Sequence, residues 1–304
     1  MTTWVDGMPI PDSRLLPPSR RRIWELDFLR GICILLMVLD HTLFDIWFIF
    51  GPNWVCAGGA ASKVAYFAQW YCSWEVRSWV HDVVLWIFCA LTGMSVAFSR
   101  NKWLRIAKIA TCAVVITAAT TAAEAWWFGG EGFAVRFGVL HMLAVSAVFG
   151  TLLYSATPDK PVLRALVAWG LALGLYLVNA LWLRRYTFET SPAWLCIVSE
   201  RMGDLYAFSP GDGFPLLSSN LDLAARYPFV CFPYLGRVLI GVGMVGLLYP
   251  ARRTLLPGLD RAWHRPLTFV GRHTLLVVIV HQLVIAGVLA CITGWFVTPG
   301  DYGL

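Results

Sequence analysis

Charge is scarce in this chain. Of its 304 residues 14% are charged, against 58% hydrophobic, and the mean hydropathy is +0.65. A soluble domain cannot present so little charge to water over so much apolar material, so lipid is the solvent for most of the molecule. Paired cysteines are lacking as well. The eight Cys include no close-spaced pair of the zinc or redox type, and no metal is expected. Cys33, Cys89, Cys112, Cys231 and Cys291 lie in or at the ends of apolar runs and read as small hydrophobes. Cys56, Cys72 and Cys196 fall in predicted outer loops, where the sequence leaves room for one disulfide without assigning it. No internal repeat is visible, which speaks against the repeated halves of secondary transporters. The first 22 residues hold no apolar stretch and no small-residue cleavage pattern, only Pro9, Pro11, Pro17, Pro18 and the run Arg20, Arg21, Arg22. No removable leader is expected; residues 1–22 read as a cytoplasmic tail ahead of an uncleaved first anchor.

What the chain has in abundance is long apolar runs. Crossing the hydrocarbon takes about 20 mainly apolar residues at helical rise. Seven stretches qualify, near 29–50, 80–98, 105–127, 135–154, 163–183, 229–249 and 269–297, the last as one long tilted helix or as a helix with a broken end. The expected fold is all-α: a polytopic integral membrane bundle of about seven transmembrane helices, with residues 23–304 as one membrane-embedded domain. Sixteen Trp fit the two water interfaces of a bilayer. With the amino terminus in the cytoplasm, the inner segments collect 16 of the 24 basic residues and the outer ones keep eight, which sets that orientation. Because the basic residues are scattered over short turns, the net charge of +6 reads as topology, and no nucleic acid is expected as a partner. Two outer loops, about 51–79 and 184–228, are too long for turns and rich in Gly, Pro, Trp and Tyr, which marks them as lids, binding surfaces or disordered segments.

Polar residues inside the apolar runs carry the chemistry. The first span contains Asp40, His41 and Asp45, and a charge near mid-bilayer costs roughly 2.5–3.5 kcal/mol on insertion scales. His41 and Asp45 stand four apart and share a helical face, whereas Asp40 points elsewhere. A carboxylate beside an imidazole sets its tautomer and raises its basicity, as a general base or an acyl-accepting nucleophile requires; the bland alternative is a polar pair that only joins helices. Arg30 lies eleven residues before His41, about 16 Å at helical rise, a depth comparable to an extended pantetheine arm. Arg30, Arg272 and the Arg100, Lys102 cluster are therefore candidate contacts for CoA phosphates, with topology anchoring as the competing explanation. His141 and the pair His281, Gln282 sit within later spans, as candidate cavity-lining groups or as hydrogen-bonded core residues. Glu124 near the outer end of the third span is a candidate substrate contact or an interfacial residue, and His81 with Asp82 at the outer start of the second is a candidate second catalytic pair, with solvation as its default explanation.

The blocks Leu26-Asp27-Phe28-Leu29-Arg30-Gly31-Ile32 through Met37, His41 and Phe44-Asp45, then Gly93-Met94-Ser95-Val96-Ala97-Phe98-Ser99-Arg100, follow one another along the chain. They continue with Phe137-Gly138-Val139-Leu140-His141, Phe232-Pro233-Tyr234-Leu235-Gly236, and Gly271-Arg272-His273-Thr274-Leu275-Leu276 with His281-Gln282. In that order they resemble the heparan-alpha-glucosaminide N-acetyltransferase catalytic-domain family, in its short bacterial members. The resemblance implies a multi-pass protein of a bacterial inner (plasma) membrane. Such a protein passes an acetyl group from cytoplasmic acetyl-CoA, its co-substrate, to an amino sugar or other glycan acceptor on the opposite face. It implies His41 and Asp45 as the catalytic pair and Arg30 and Arg272 on the CoA side, with the reacting histidine His41 or His81; His141, from the reading of the spans, stands beside them as a further catalytic candidate, and Arg100 and Lys102 as further CoA-side candidates. Its partners are then the bilayer, acyl-CoA and the acceptor, with room for a homo-oligomer. The rival expectation from another class is a small proton-coupled transporter that uses His41, Asp45, His141 and His281 as a relay.

Overall fold

Seven apolar runs of the sequence become seven apolar helices in the computed structural model, which describes residues 4–5, 8–9, 23–127, 135, 138–181, 233–250 and 253–296. Six are long and apolar enough to cross a membrane: α1 (Trp24–Phe48), α4 (Glu75–Phe98), α5 (Lys102–Trp127), α6 (Val139–Ala156), α7 (Pro161–Leu181) and α10 (Thr274–Phe296). The seventh, α8 (Tyr234–Leu248), is shorter at 15 residues and is the most enclosed, with Val238 and Val242 fully buried among α4, α6 and α7. The expected sixth span begins at 229, and its first residues lie outside the described ones. Many of the large side chains left exposed are Leu, Val, Phe and Trp on the outer faces of these helices, as a lipid-facing surface requires. Near the amino terminus a two-residue antiparallel ribbon pairs Trp4–Val5 with Met8–Pro9.

Two crossings hold the bundle at backbone contact. A Cβ built on Gly31 of α1 would collide with the carbonyl of Leu267, and one on Gly271 with the carbonyl of Asp27, so α1 locks onto α9 (Arg265–Arg272) from both sides. In the same way Gly93 of α4 meets the Val238 carbonyl, and Gly241 of α8 meets the Ala90 carbonyl. With no hydrophobic driving force between helices in lipid, such small-residue contacts let backbones approach and gain dispersion energy.

The question of a broken last helix is settled at His273, which separates α9 from α10. There the Thr274 hydroxyl donates to the Gly271 carbonyl at 2.6 Å, closing the end of α9. The first long outer segment differs from the expected loop. It forms two helices, α2 (Gly51–Ala57) and α3 (Gly59–Ser73), joined where Gly58 and Gly59 take φ of +70° and +61°, a turn that favours glycine. Ala61, Ala65 and Ala68, spaced on one face of α3, are buried in the cluster that holds Ile46 of α1, and the indole of Trp54 in α2 donates to Thr293 of α10 at 2.8 Å. The reason is packing: a small-residue stripe buries against α1 only in helical register. The second long outer segment, 184–228, lies outside the described residues.

Candidate functional site

The helix α1 starts earlier than the apolar pattern alone suggests, and its first turns carry the first polar constellation. Asp27, on the face that meets α9, holds two arginines at once. Arg30 donates to its Oδ1 at 3.0 Å and Arg272 to its Oδ2 at 3.3 Å. Arg30 also reaches the hydroxyl of Ser95 and the carbonyl of Leu91 in α4. Beside this fork opens a cavity of about 1490 Å³, walled by α1, α4, α5, α6 and the α9–α10 junction. Its lining includes Arg30, Arg100, Arg105, Lys108 and Arg272 against the single carboxylate of Asp27. The side chains of Arg100, Arg105 and Lys108 form no ion pair with a described residue. Three of the four expected CoA-side residues are thus brought to one cavity. Lys102 is not among the lining residues; its ammonium stands over the Tyr154 ring, 5.1 Å from the centroid, where the cation meets the aromatic face instead of the cavity. Arg105 and Lys108, unmarked in the sequence, take its place because they lie one and two turns along α5 on the inward side.

On α1 the lining of the cavity stops at Arg30. Its lining in α10 ends at Val278, three residues and about 4.5 Å of rise before His281. An apolar layer follows, with Ile34, Cys89, Leu140, Leu143 and Val278 buried and Met37, Leu85 and Phe88 packed on them.

Beyond that layer stand the histidines. The His41 ring meets His281 edge-on at 5.2 Å between centroids and 82° between planes. His281 Nδ1 lies 3.0 Å from the Val277 carbonyl, which selects the tautomer with hydrogen on Nδ1 and leaves Nε2 as a buried acceptor with no partner among the described residues. Asp45 is buried and accepts from Gln282 Nε2 at 2.6 Å. The expected side-by-side pairing of His41 with Asp45 is therefore replaced by two rungs across α1 and α10, His41 with His281 and Asp45 with Gln282. Both α1 residues do share a face, but α10 offers each its own partner from consecutive positions.

Asp40, one residue earlier, faces the other way and gathers the third constellation. Arg77 Nε and Nη2 each donate to its carboxylate at 2.7 Å, a bidentate pair. The Tyr71 hydroxyl donates at 3.3 Å, and His81 Nδ1 lies 3.5 Å from Asp40 Oδ2. Tyr71, on the non-spanning α3, has its pKa raised by burial and by the adjacent Asp40 carboxylate, which keeps the phenol a donor. Sequence reasoning missed this cluster because its members are 31 to 41 residues apart and α3 was read as loop. The sequence signals only that a carboxylate in an apolar run demands a cation; which cation answers it is set by the packing of α3 and α4 on α1.

The remaining candidates are placed apart from these groups. His141 Nε2 lies 3.1 Å from the Thr117 hydroxyl, so this histidine joins α6 to α5. Asp82 is buried, not solvated as its interfacial position suggested, and Glu124 is buried as well. Cys56 and Cys72 are free thiols; Cys196 lies outside the described residues.

No curated protein and no solved structure matches the chain. The family described as heparan-alpha-glucosaminide N-acetyltransferase, catalytic, matches residues 22–283, a span that runs from the Asp27 fork at the start of α1 to the His281, Gln282 rungs of α10. This multi-pass helical membrane protein therefore belongs to the heparan-alpha-glucosaminide N-acetyltransferase catalytic family.

Proposed function

We propose that the protein is a transmembrane acyltransferase that takes an acetyl group from acetyl-CoA in the basic cavity and passes it through the apolar layer to an amino sugar or similar glycan on the opposite side. The observation that carries this reading is the cavity itself: about 1490 Å³, five cations and one carboxylate in its wall, at the end of the bundle where α1 begins. That volume exceeds a drug-sized site, and its charge suits the phosphates of a nucleotide carrier. Arg30, Arg100, Arg105, Lys108 and Arg272 bind and orient the phosphates, with Asp27 holding Arg30 and Arg272 in place. A pantetheine arm is slender and largely uncharged, so it can part Ile34, Met37 and Val278 where a phosphate cannot.

His41 is the group that the thioester meets beyond the layer. Two routes fit: the imidazole takes the acyl group covalently, or it serves as base while the acceptor attacks directly. His281, through its unpartnered Nε2, accepts a proton from His41 in either route. On this reading the amino terminus, the 1–22 tail and the basic cavity face the cytoplasm, and residues 23–304 act as one membrane-embedded unit of an inner membrane.

The test is binding of acetyl-CoA to the full-length protein in detergent, followed by incubation with labelled acetyl-CoA. Saturable binding, and label on the wild type that is lost in His41→Ala, is the expected result for the covalent route. Label that survives the substitution removes His41 as carrier, and absence of any CoA response removes the acyltransferase reading in favour of a transporter.

A further inference from the structure

We propose that Asp40, Tyr71, Arg77 and His81 form the acceptor site, in which His81 is the base that takes the proton from the attacking amine or hydroxyl. This rests on the acyltransferase reading above and names the side of it that no CoA contact explains. The supports of the cluster are enclosed and its working group is open: the side chains of Asp40 and Arg77 are 15% and 18% exposed, that of His81 43%. A carboxylate next to Nδ1 holds the hydrogen there and leaves the Nε2 lone pair free. Arg77, paired with both oxygens of Asp40, holds that carboxylate in place beside the His81 ring. The Tyr71 hydroxyl donates to Asp40 and keeps its oxygen as an acceptor for a substrate N–H or O–H.

Position supports the assignment. Arg77 and His81 occupy the first turns of α4, whereas Ser95, Phe98 and Ser99 at its other end line the basic cavity. Eighteen residues, about 27 Å of rise, separate Arg77 from Ser95, with Leu85, Phe88 and Cys89 of the apolar layer between them. One helix thus carries a donor end and an acceptor end. In the transfer, the acceptor nitrogen forms a bond to the acyl carbonyl carbon as that carbon breaks its bond to the imidazole of an acylated His41. The bonding pair leaves on the ring nitrogen, and the acceptor nitrogen's proton goes to His81 Nε2 and from there to solvent. The ligand class is a primary amine or hydroxyl on a polar carrier.

The experiment uses the full-length protein in detergent, labelled acetyl-CoA and two amine probes near neutral pH: glucosamine, mostly protonated, and hydroxylamine, mostly not. In His81→Ala, transfer to glucosamine falls about 10²–10⁴-fold, acetyl-CoA affinity is unchanged, transfer to hydroxylamine falls far less, and added imidazole restores part of the glucosamine rate. His81→Gln, which can still donate to Asp40, shows the same loss and serves if the alanine variant fails to fold. The proposal is overturned by an unchanged glucosamine rate, by equal losses with both probes and no rescue, or by a wild type that binds acetyl-CoA yet acetylates neither probe. A wild type that binds no acetyl-CoA overturns the acyltransferase reading instead.

Discussion

Asp27 and Asp40 show how one helix keeps two carboxylates in an apolar setting by giving each a cation from elsewhere in the chain. The costs of disturbing them differ. Asp40→Ala leaves the Arg77 guanidinium, 18% exposed, without its partner, and an uncompensated enclosed charge costs about 3–5 kcal/mol. The expected outcome is a clear drop in the thermal midpoint of the detergent-purified protein, largely recovered when Arg77→Gln is combined with it. In the basic cavity, structural and ligand-directed arginines can be told apart. The Arg30 side chain is tied to Asp27, Ser95 and Leu91, while that of Arg105 makes no hydrogen bond or ion pair with a described residue. Arg105→Ala is expected to weaken acetyl-CoA binding about 10-fold or more, the worth of one charge-assisted contact, at an unchanged thermal midpoint. Arg30→Ala is expected to lower both affinity and midpoint; calorimetric titration beside a melting curve checks the contrast.

At the scale of elements, the glycine crossings set how closely α9 and α8 lie on their neighbours. Gly271→Ala forces α9 away from the Asp27 carbonyl and carries Arg272 with it, whereas a Cβ at Gly170 or Gly174 of α7 meets nothing. Gly271→Ala is therefore expected to destabilise by about 1–3 kcal/mol as an overpacked contact and to weaken acetyl-CoA binding. Gly170→Ala should be neutral or slightly stabilising in the same melting assay. Much of this architecture is legible in the sequence, because lipid forces each span to be one long apolar run; the helices found at 24–48, 75–98 and 102–127 cover the expected cores with extra turns at their polar ends. Those extra turns were hidden for a physical reason: Glu25 is polar but buried, accepting from the Leu256 amide at 2.9 Å and from the Thr254 hydroxyl, a contact no local pattern reveals. The α2–α3 hairpin was hidden because its buried face is made of Ala, which carries little hydrophobic signal. At the site, the depth of His41 relative to Arg30 was readable from helical rise alone. Its partner His281 and the Arg77, His81 pair of Asp40 were not, since only the packing of α10, α3 and α4 on α1 brings them there.

For the molecule as a whole, the orientation is the property that gives each end its role. The free thiol of Cys56, exposed on α2 beyond the end of α1, reports on it directly. In a variant that keeps Cys56 as its sole cysteine, a membrane-impermeant maleimide added to intact cells is expected to label the protein, and the same reagent added to the outside of sealed inverted vesicles is not. The opposite pattern would put the basic cavity on the wrong side for cytoplasmic acetyl-CoA.

The belt formed by Ile34, Cys89, Leu140 and Val278 also has an electrical meaning. A cell membrane stores roughly 2.3 kcal/mol per unit charge for every 100 mV, and a water-filled path from the arginines to Asp40 would let small ions run down that gradient. Wrapped in Ile, Leu and Val, the crossing point is an insulator to protons and salt, and on the proposed reading it opens only for a slender uncharged arm and the acetyl group it carries. Val278→Asp should turn this catalyst into a leak, visible as loss of voltage-sensitive dye signal in energised liposomes.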